Sequence, residues 1–467
     1  MLRVGLEDLV LQILILDLGN PAHFLGRALN PPTEMSMRNS LKLLEELGAI
    51  ECQWKEESQD GGLKLEEPKA PEPELNDPLT TSCGEMKISS ELTALGFHLA
   101  TLPVDPRVGK MMIYGALFGC TDPALTIAAS MSARNPFVSP FDKRDEADAA
   151  RKKFGDDGSD HLAILRAFTD WKELRRRKGD RAAQKFAGDN FLSRQTLFQL
   201  EDLRKQFSNL LKSIGFLPSS FQLGADSGAT IADVNASNMA LVKAVLCAGL
   251  YPNIIVGPQS LVQPGSKEDA GEVAFRSLKG DAHLHPCTIA FKEKRLESRY
   301  CCYHEMVKTS KTYVRDCTTV SPFALVLFGG TLVVYQDKGV ATVDEWLKFR
   351  IGRRPATLVK HFRTQMESML LRKIVSPDDD VTSSPVGKAL IQSISTLLQR
   401  EKDSKAIRTD GAEIVRPWRE TQGAEEHQGR GGRGGRGGGQ GRGGRGRGGG
   451  RGRGGRGQGR GRGRGGR

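Results

Sequence analysis

The sequence predicts a multi-domain α+β protein, helical in its first half, strand-rich after it, and closed by a disordered basic arm. Three observations predict this. Apolar residues recur at helical spacing as far as Gly215. From Ile254 to Phe349 the chain breaks into short β-branched and aromatic runs separated by Gly and Pro. Residues 429–467 contain only Gly, Arg and Gln, which cannot bury apolar area.

A length of 467 residues accommodates two to four ordinary domains. The formal charge is +12, and removing the 13 arginines of the arm leaves −1 for the rest. The basic character is therefore concentrated in the arm, which points to a polyanionic partner. Any nucleic-acid contact in the near-neutral body must come from local patches. The eight cysteines (Cys52, Cys83, Cys120, Cys247, Cys287, Cys301, Cys302, Cys317) form no CxxC pair and read as buried, reduced thiols of an intracellular protein. Glu7 and Asp8 near the start argue against a transit peptide. Met111 to Ala133 is weakly charged, but Asp122 and Pro123 interrupt it, so it reads as paired buried helices rather than a membrane span. Nucleus and cytoplasm both remain open.

Residues 1–90 come first. Leu6, Leu9, Val10, Ile13 and Leu14 follow helical spacing, Asn20-Pro21 opens a second helix, and Met37, Leu41, Leu44 and Leu47 mark a third that stops at Gly48. Three short helices before an extended segment fit a winged-helix domain. Its acidic, Pro-rich stretch at 53–90 reads as an unstructured insertion or wing loop. Residues 91–216 read as a helical bundle, with Ser159 capping one long helix and a second running from Leu197 to Ile214. After a Ser/Gly-rich link at 217–237, residues 238–350 open with an apolar helix to Gly249. Strands are expected near Ile254–Val256, Val273–Phe275, Thr288–Phe291, Tyr300–Val307, Thr312–Asp316, Ala324–Leu327, Leu332–Tyr335 and Val343–Phe349, as in an OB-fold barrel. Two helices follow within 351–400, and 401–467 reads as a disordered polar linker and RGG/RG arm.

Several segments resemble one family. Gly96 to Ala129 (GFHLATLPVDPRVGKMMIYGALFGCTDPALTIAA) is similar to the helicase-associated region of DEAH/DExH-box RNA helicases. So are Ser159-Asp160-His161-Leu162, Leu241 to Asn253 (LVKAVLCAGLYPN) and Tyr303 to Gly330 (YHEMVKTSKTYVRDCTTVSPFALVLFGG), while Val343-Asp344-Glu345-Trp346 fits the barrel's last strand. The resemblance covers most of residues 1–375. It implies the order winged helix, ratchet-like helical domain, OB-fold and C-terminal helices, all accessory to an ATP-dependent RNA helicase motor. The family's RecA-like motor domains have no counterpart in these residues. A phosphate loop needs G-x-x-x-x-G-K-[ST], yet Gly109-Lys110 is followed by Met111 and Gly387-Lys388 by Ala389. The expected function is RNA binding that guides a single strand beside motor domains absent from this chain. The alternative is a stand-alone RNA-binding adaptor without helicase activity. The chain alone should not hydrolyse ATP; it has no cofactor of its own, and ATP and Mg²⁺ enter only with the motor supplied.

Two sequence decoys carry no motor chemistry. Asp145-Glu146-Ala147-Asp148 spells a helicase motif but leads into Ala149-Ala150-Arg151-Lys152-Lys153, so it reads as a helix start, where acids are favoured. A Gly-rich arm cannot hold an arginine finger rigidly against a γ-phosphate.

For RNA contact in the body, Lys308, Thr309, Ser310, Lys311, Thr312, Tyr313 and Arg315 combine phosphate-binding groups with an aromatic for base stacking. A solvated strand–turn–strand is the plainer reading of the same run. Arg107 and Lys110 are further candidates, against a solvated helix start or a salt bridge. In the arm, Arg430, Arg433, Arg436, Arg442 and Arg445 begin a ladder suited to phosphate contact and base stacking without sequence preference. Arginine methyltransferases are expected to act on it, and motor domains in trans are possible partners; no membrane partner is expected. Arg175-Arg176-Arg177-Lys178 reads either as a nuclear-localisation run or as an exposed helix end. The alternations His283/His285/Cys287 and Cys301/Cys302/His304 depart from zinc-site spacing and read as barrel packing, so neither a metal site nor a catalytic constellation is expected.

Overall fold

The computed structural model describes residues 6–54, 88–155, 157–224, 231–263, 269–400 and 407–408. Three helices come first: α1 (Glu7–Ile15), α2 (Pro21–Gly26) and α3 (Glu34–Glu46). Asn20 caps α2 by accepting the Ala22 and His23 amides at 2.9 and 3.2 Å, with Pro21 in the first helical position, where its missing N–H costs nothing. Thr33 caps α3, and Gly48, at φ 72°, turns the chain out of it into β1 (Ile50–Trp54). β1 pairs antiparallel with β2 (Ile88–Leu92), so the stretch read as an insertion at 53–90 begins and ends in paired strand.

The helical region follows: α4 (Ala94–Ala100), α5 (Pro106–Leu117), α6 (Thr121–Ser132), α7 (Arg144–Phe154), α8 (Asp160–Lys178), α9 (Asp180–Asp189) and α10 (Arg194–Ser213). Helix α11 (Met239–Leu250) packs beside α5. The backbones approach closely. A Cβ on Gly115 would lie 2.4 Å from the Ala124 Cβ of α6, and one on Gly249 of α11 would lie 2.7 Å from the Met111 Cβ of α5. These glycines set the α5–α6 and α5–α11 spacing. The resulting apolar core runs continuously from α1 through the bundle to the C-terminal helices.

A closed five-stranded barrel lies next in the chain. It comprises β3 (Ile254–Val256), β4 (Phe275–Ser277), β5 (Gly280–Leu284), β6 (Tyr300–Lys308) and β7 (Thr312–Val320), in the order β3-β4-β5-β7-β6. The β5–β7 pairing is parallel and the others antiparallel. Its interior is filled by Ile255, Leu261, Phe275, Leu284, Cys301, Val314 and Cys317.

Three strand expectations need correction, and one strand was not expected. Ala324–Leu327 lies in helix α12 (Pro322–Phe328), capped by Ser321. Thr288–Phe291 leads into a 3-10 turn, Ile289–Lys292. β5 is a strand that the sequence reading missed. Val343–Phe349 is not one strand of the barrel: Asp344 and Glu345 adopt positive φ and divide it into two strands of a second sheet. That sheet holds β8 (Leu332–Tyr335), β9 (Val340–Val343), β10 (Leu347–Ile351) and, after helices α13 (Arg353–Val375) and α14 (Pro385–Gln399), β11 (Ile407–Arg408). β11 pairs with Arg350 and Ile351, so the expected linker at 401–428 contributes a two-residue strand. No described helix is long and apolar enough to cross a membrane.

Candidate nucleic-acid interface

The two longest strands, β6 and β7, form a hairpin whose turn is closed by the Thr309 amide donating to the Lys311 carbonyl at 2.9 Å. Strand alternation sorts its side chains. Met306 and Val314 are paired and face the barrel interior. Val307/Tyr313 and Glu305/Arg315 are the pairs on the opposite face, and Lys308 and Lys311 stand exposed at the tip. The parallel neighbour β5 brings His283 beside Tyr313. The Tyr313 ring centre lies 6.2 Å from that of His283 and 5.9 Å from that of His285, the latter edge to face. Arg315 reaches Glu305 at 3.5 Å and His285 Nε2 at 3.4 Å, while its Nε has no partner. Burial, and then the Arg315 charge, hold the His285 pKa below its ordinary value, favouring a neutral ring. The outer face thus joins aromatic surface, guanidinium and two exposed ammonium groups, which suits stacking bases and phosphate oxygens.

The barrel is fastened to the helices beneath this face. Ser159 caps α8 by accepting the Leu162 amide at 3.1 Å, and its hydroxyl also meets the Thr318 hydroxyl at 2.7 Å. Asp160, fully buried, accepts from the Ile289 amide at 2.9 Å, the Cys317 amide at 2.8 Å and the Arg151 guanidinium at 3.0 Å. Arg151 also donates to the Cys287 carbonyl at 2.6 Å and lies 3.7 Å from Asp316. His161 Nδ1 bonds the Thr318 hydroxyl at 2.8 Å. Each polar member of Ser159-Asp160-His161 therefore binds the barrel. Burial raises the Asp160 pKa to about 6 against the opposing pull of Arg151, and burial lowers that of His161 to about 4.

The other expected residues fall elsewhere. Lys110 is a correction: it is 5% exposed, and its ammonium donates to the Leu47 carbonyl at 2.7 Å. Burial lowers its pKa to about 8, and it ties α5 to the end of α3 rather than facing a polyanion. Arg107 is half-buried in the first turn of α5, its Nε without a partner. Arg430, Arg433, Arg436, Arg442 and Arg445 lie outside the described residues, as does Cys83. Of the described cysteines all are free; Cys287 is exposed rather than buried, its Sγ 2.9 Å from His285 Nδ1. Among the described residues no cluster of three or more His, Cys, Asp or Glu could hold a metal ion. Arg151, Asp316 and Thr318 were missed as a group because their partners are remote in sequence. The available signal was an acid, Asp160, set between the Ser159 cap and the apolar run Leu162–Leu165.

Three family descriptions match in chain order. Residues 105–193 match "Helicase associated domain (HA2), ratchet-like", residues 242–332 match "Oligonucleotide/oligosaccharide-binding (OB)-fold", and residues 339–400 match "C-terminal domain in RNA helicases". Individual relatives agree over most of the chain. The ATP-dependent DNA/RNA helicase DHX36 of Mus musculus is 36% identical over 408 residues, covering 86% of this chain and 36% of its own length. The DExH-box ATP-dependent RNA helicase DExH1 of Arabidopsis thaliana is 34% identical over 409 residues, covering 86% of this chain and 35% of its own. The chain belongs to the DExH-box helicase family. It corresponds to the C-terminal part of these helicases and spans about a third of the length of the relatives it matches. The ATP dependence in those helicases' names finds no phosphate loop among the described residues. Lys110, after Gly109, is buried within α5, and Gly387-Lys388 lies in the first turn of α14. The Asp145 to Asp148 run is likewise the first turn of α7, following no strand.

Proposed function

We propose that this chain is the RNA-binding accessory region of a DExH-box helicase, and that the outer face of β5, β7 and β6 holds single-stranded RNA as it passes motor domains. The observation that carries this reading is the grouping of Tyr313, His283, His285 and Arg315 on one open barrel face, with Lys308 and Lys311 at its tip. Residues 1–90 act as a winged-helix domain beside the bundle; three helices followed by the β1–β2 pair support this assignment. The RGG arm adds sequence-independent affinity and raises the local RNA concentration; its composition supports this role, as it does modification by arginine methyltransferases. ATP and Mg²⁺ belong to the motor, joined to this region or supplied in trans.

The test is RNA affinity of the full chain across a salt series, with and without Lys308→Ala and Lys311→Ala. Deleting both ammonium groups, each neutralising one phosphate of a single strand, should lower the salt slope by about 1.4. An unchanged slope would remove the hairpin from the interface.

A further inference from the structure

Away from the barrel face, a second concentration of charge occupies one corner of the helical bundle. Helix α8 ends in Arg175-Arg176-Arg177-Lys178, Gly179 turns the chain, and α9 carries Arg181 and Lys185 one turn apart. Arg194 opens α10. These elements meet at one point: Arg175 bridges Asp180 of α9 at 3.0 Å and Glu201 of α10 at 2.7 Å. Arg176 and Arg177 both contact Glu173. Lys178, Arg181, Lys185 and Arg194 are all exposed and lack a carboxylate within ion-pair distance among the described residues, Asp189 included. The corner also has an aromatic centre. Phe198 lies under two guanidinium groups, Arg175 at 4.8 Å and Arg194 at 5.4 Å, and its ring meets buried Trp171 edge to face.

We propose that this corner is a second nucleic-acid contact, gripping the phosphate backbone of RNA independently of the barrel face. Arg175 is held by its two bridges, whereas the Arg194 guanidinium, set over the Phe198 ring, is oriented in advance and keeps its in-plane N–H donors for phosphate oxygens. Arg181 and Lys185 stand about 6 Å apart along α9. With Lys178, they form a repeat of unpaired charges that suits a repeating polyanion better than a single acidic pair. A receptor that reads Arg175 to Lys178 as an extended peptide would have to unwind the last turn of α8 and break both bridges of Arg175, so the folded arrangement favours RNA.

The test compares full-length chains carrying Lys178→Gln, Arg181→Gln and Lys185→Gln with chains carrying Arg354→Gln, Lys360→Gln and Lys388→Gln. The second set is exposed, on the C-terminal helices, and changes net charge equally. Neither set touches the hairpin or the arm, and circular dichroism checks that both retain the fold. Binding to a single-stranded RNA is measured across a salt series. The corner variant should lose a slope of about 2 and, at low salt, on the order of tenfold in affinity relative to the control variant. Equal behaviour of the two variants overturns the proposal, whatever the barrel-face variants do. Loss of nuclear accumulation with RNA binding intact also overturns it and makes the run an import signal.

Discussion

Replacing His161 by asparagine isolates one polar contact of the seam between bundle and barrel. The imidazole is 1% exposed, bonded through Nδ1 to Thr318, with Nε2 unpartnered. Burial depresses its pKa from 6.5 to about 4. An unfolded chain therefore takes up a proton below 6.5 that the folded chain refuses, and acidification favours unfolding until the pH passes about 4. This contribution is negligible at about pH 7.5, reaches about 2 kcal/mol at about pH 5, and approaches a limit of about 3 kcal/mol. Asp160 acts in the opposite sense. Its folded pKa, raised from 3.8 to about 6, makes the native state gain stability as pH falls through that window, so the two groups partly mask each other. The difference between variant and parent exposes the histidine alone. Asparagine keeps a polar atom near Thr318 and does not titrate. Urea unfolding followed by circular dichroism should find the variant less stable at about pH 7.5, with that deficit shrinking by about 2 kcal/mol at about pH 5. A deficit independent of pH would refute the claim that a neutral, buried histidine joins the bundle to the barrel.

Three further outcomes are expected. Lys110→Met strands the buried Leu47 carbonyl and should cost about 1–3 kcal/mol in urea unfolding, while leaving RNA affinity of the folded protein unchanged. Gly115→Ala drives a methyl into Ala124 and should cost about 1–3 kcal/mol, read as a lower thermal midpoint. Ending the chain after His427 removes the 13 arginines of the arm and should flatten the salt dependence of RNA binding more than any substitution in the body. An unchanged slope would make the arm a solubilising tail.

Much of the helical architecture is legible in the sequence because its signals are local. Ser159 and Gly215 bracket the two long helices of the bundle, and Asn20-Pro21 announces α2 through the acceptor and the fixed φ that a helix start requires. Ala324–Leu327 reads as strand because the whole run from Phe323 to Phe328 is apolar, leaving no periodicity to tell helix from strand; Ser321-Pro322 is the start signal that decides it. β5 is hidden by its sequence, Gly280-Asp281-Ala282-His283-Leu284, whose strand is imposed by pairing with β4 and β7. At the site, the hairpin residues stand out by composition, but the histidines beside Tyr313 come from β5 and the turn after it and depend on the barrel's closure. Lys110 shows the limit of reading charge as exposure. A lone lysine among Val108, Met111, Met112 and Ile113 lies on a helix buried nearly all round, and its partner is a carbonyl 63 residues away.

Photo-crosslinking of single-stranded RNA to the full chain, with the attached peptides mapped by mass spectrometry, tests the account most directly. Adducts on the hairpin between Tyr303 and Asp316, reduced by Tyr313→Ala, are the predicted result. Adducts confined to the arm beyond His427, with none on the barrel, would contradict it.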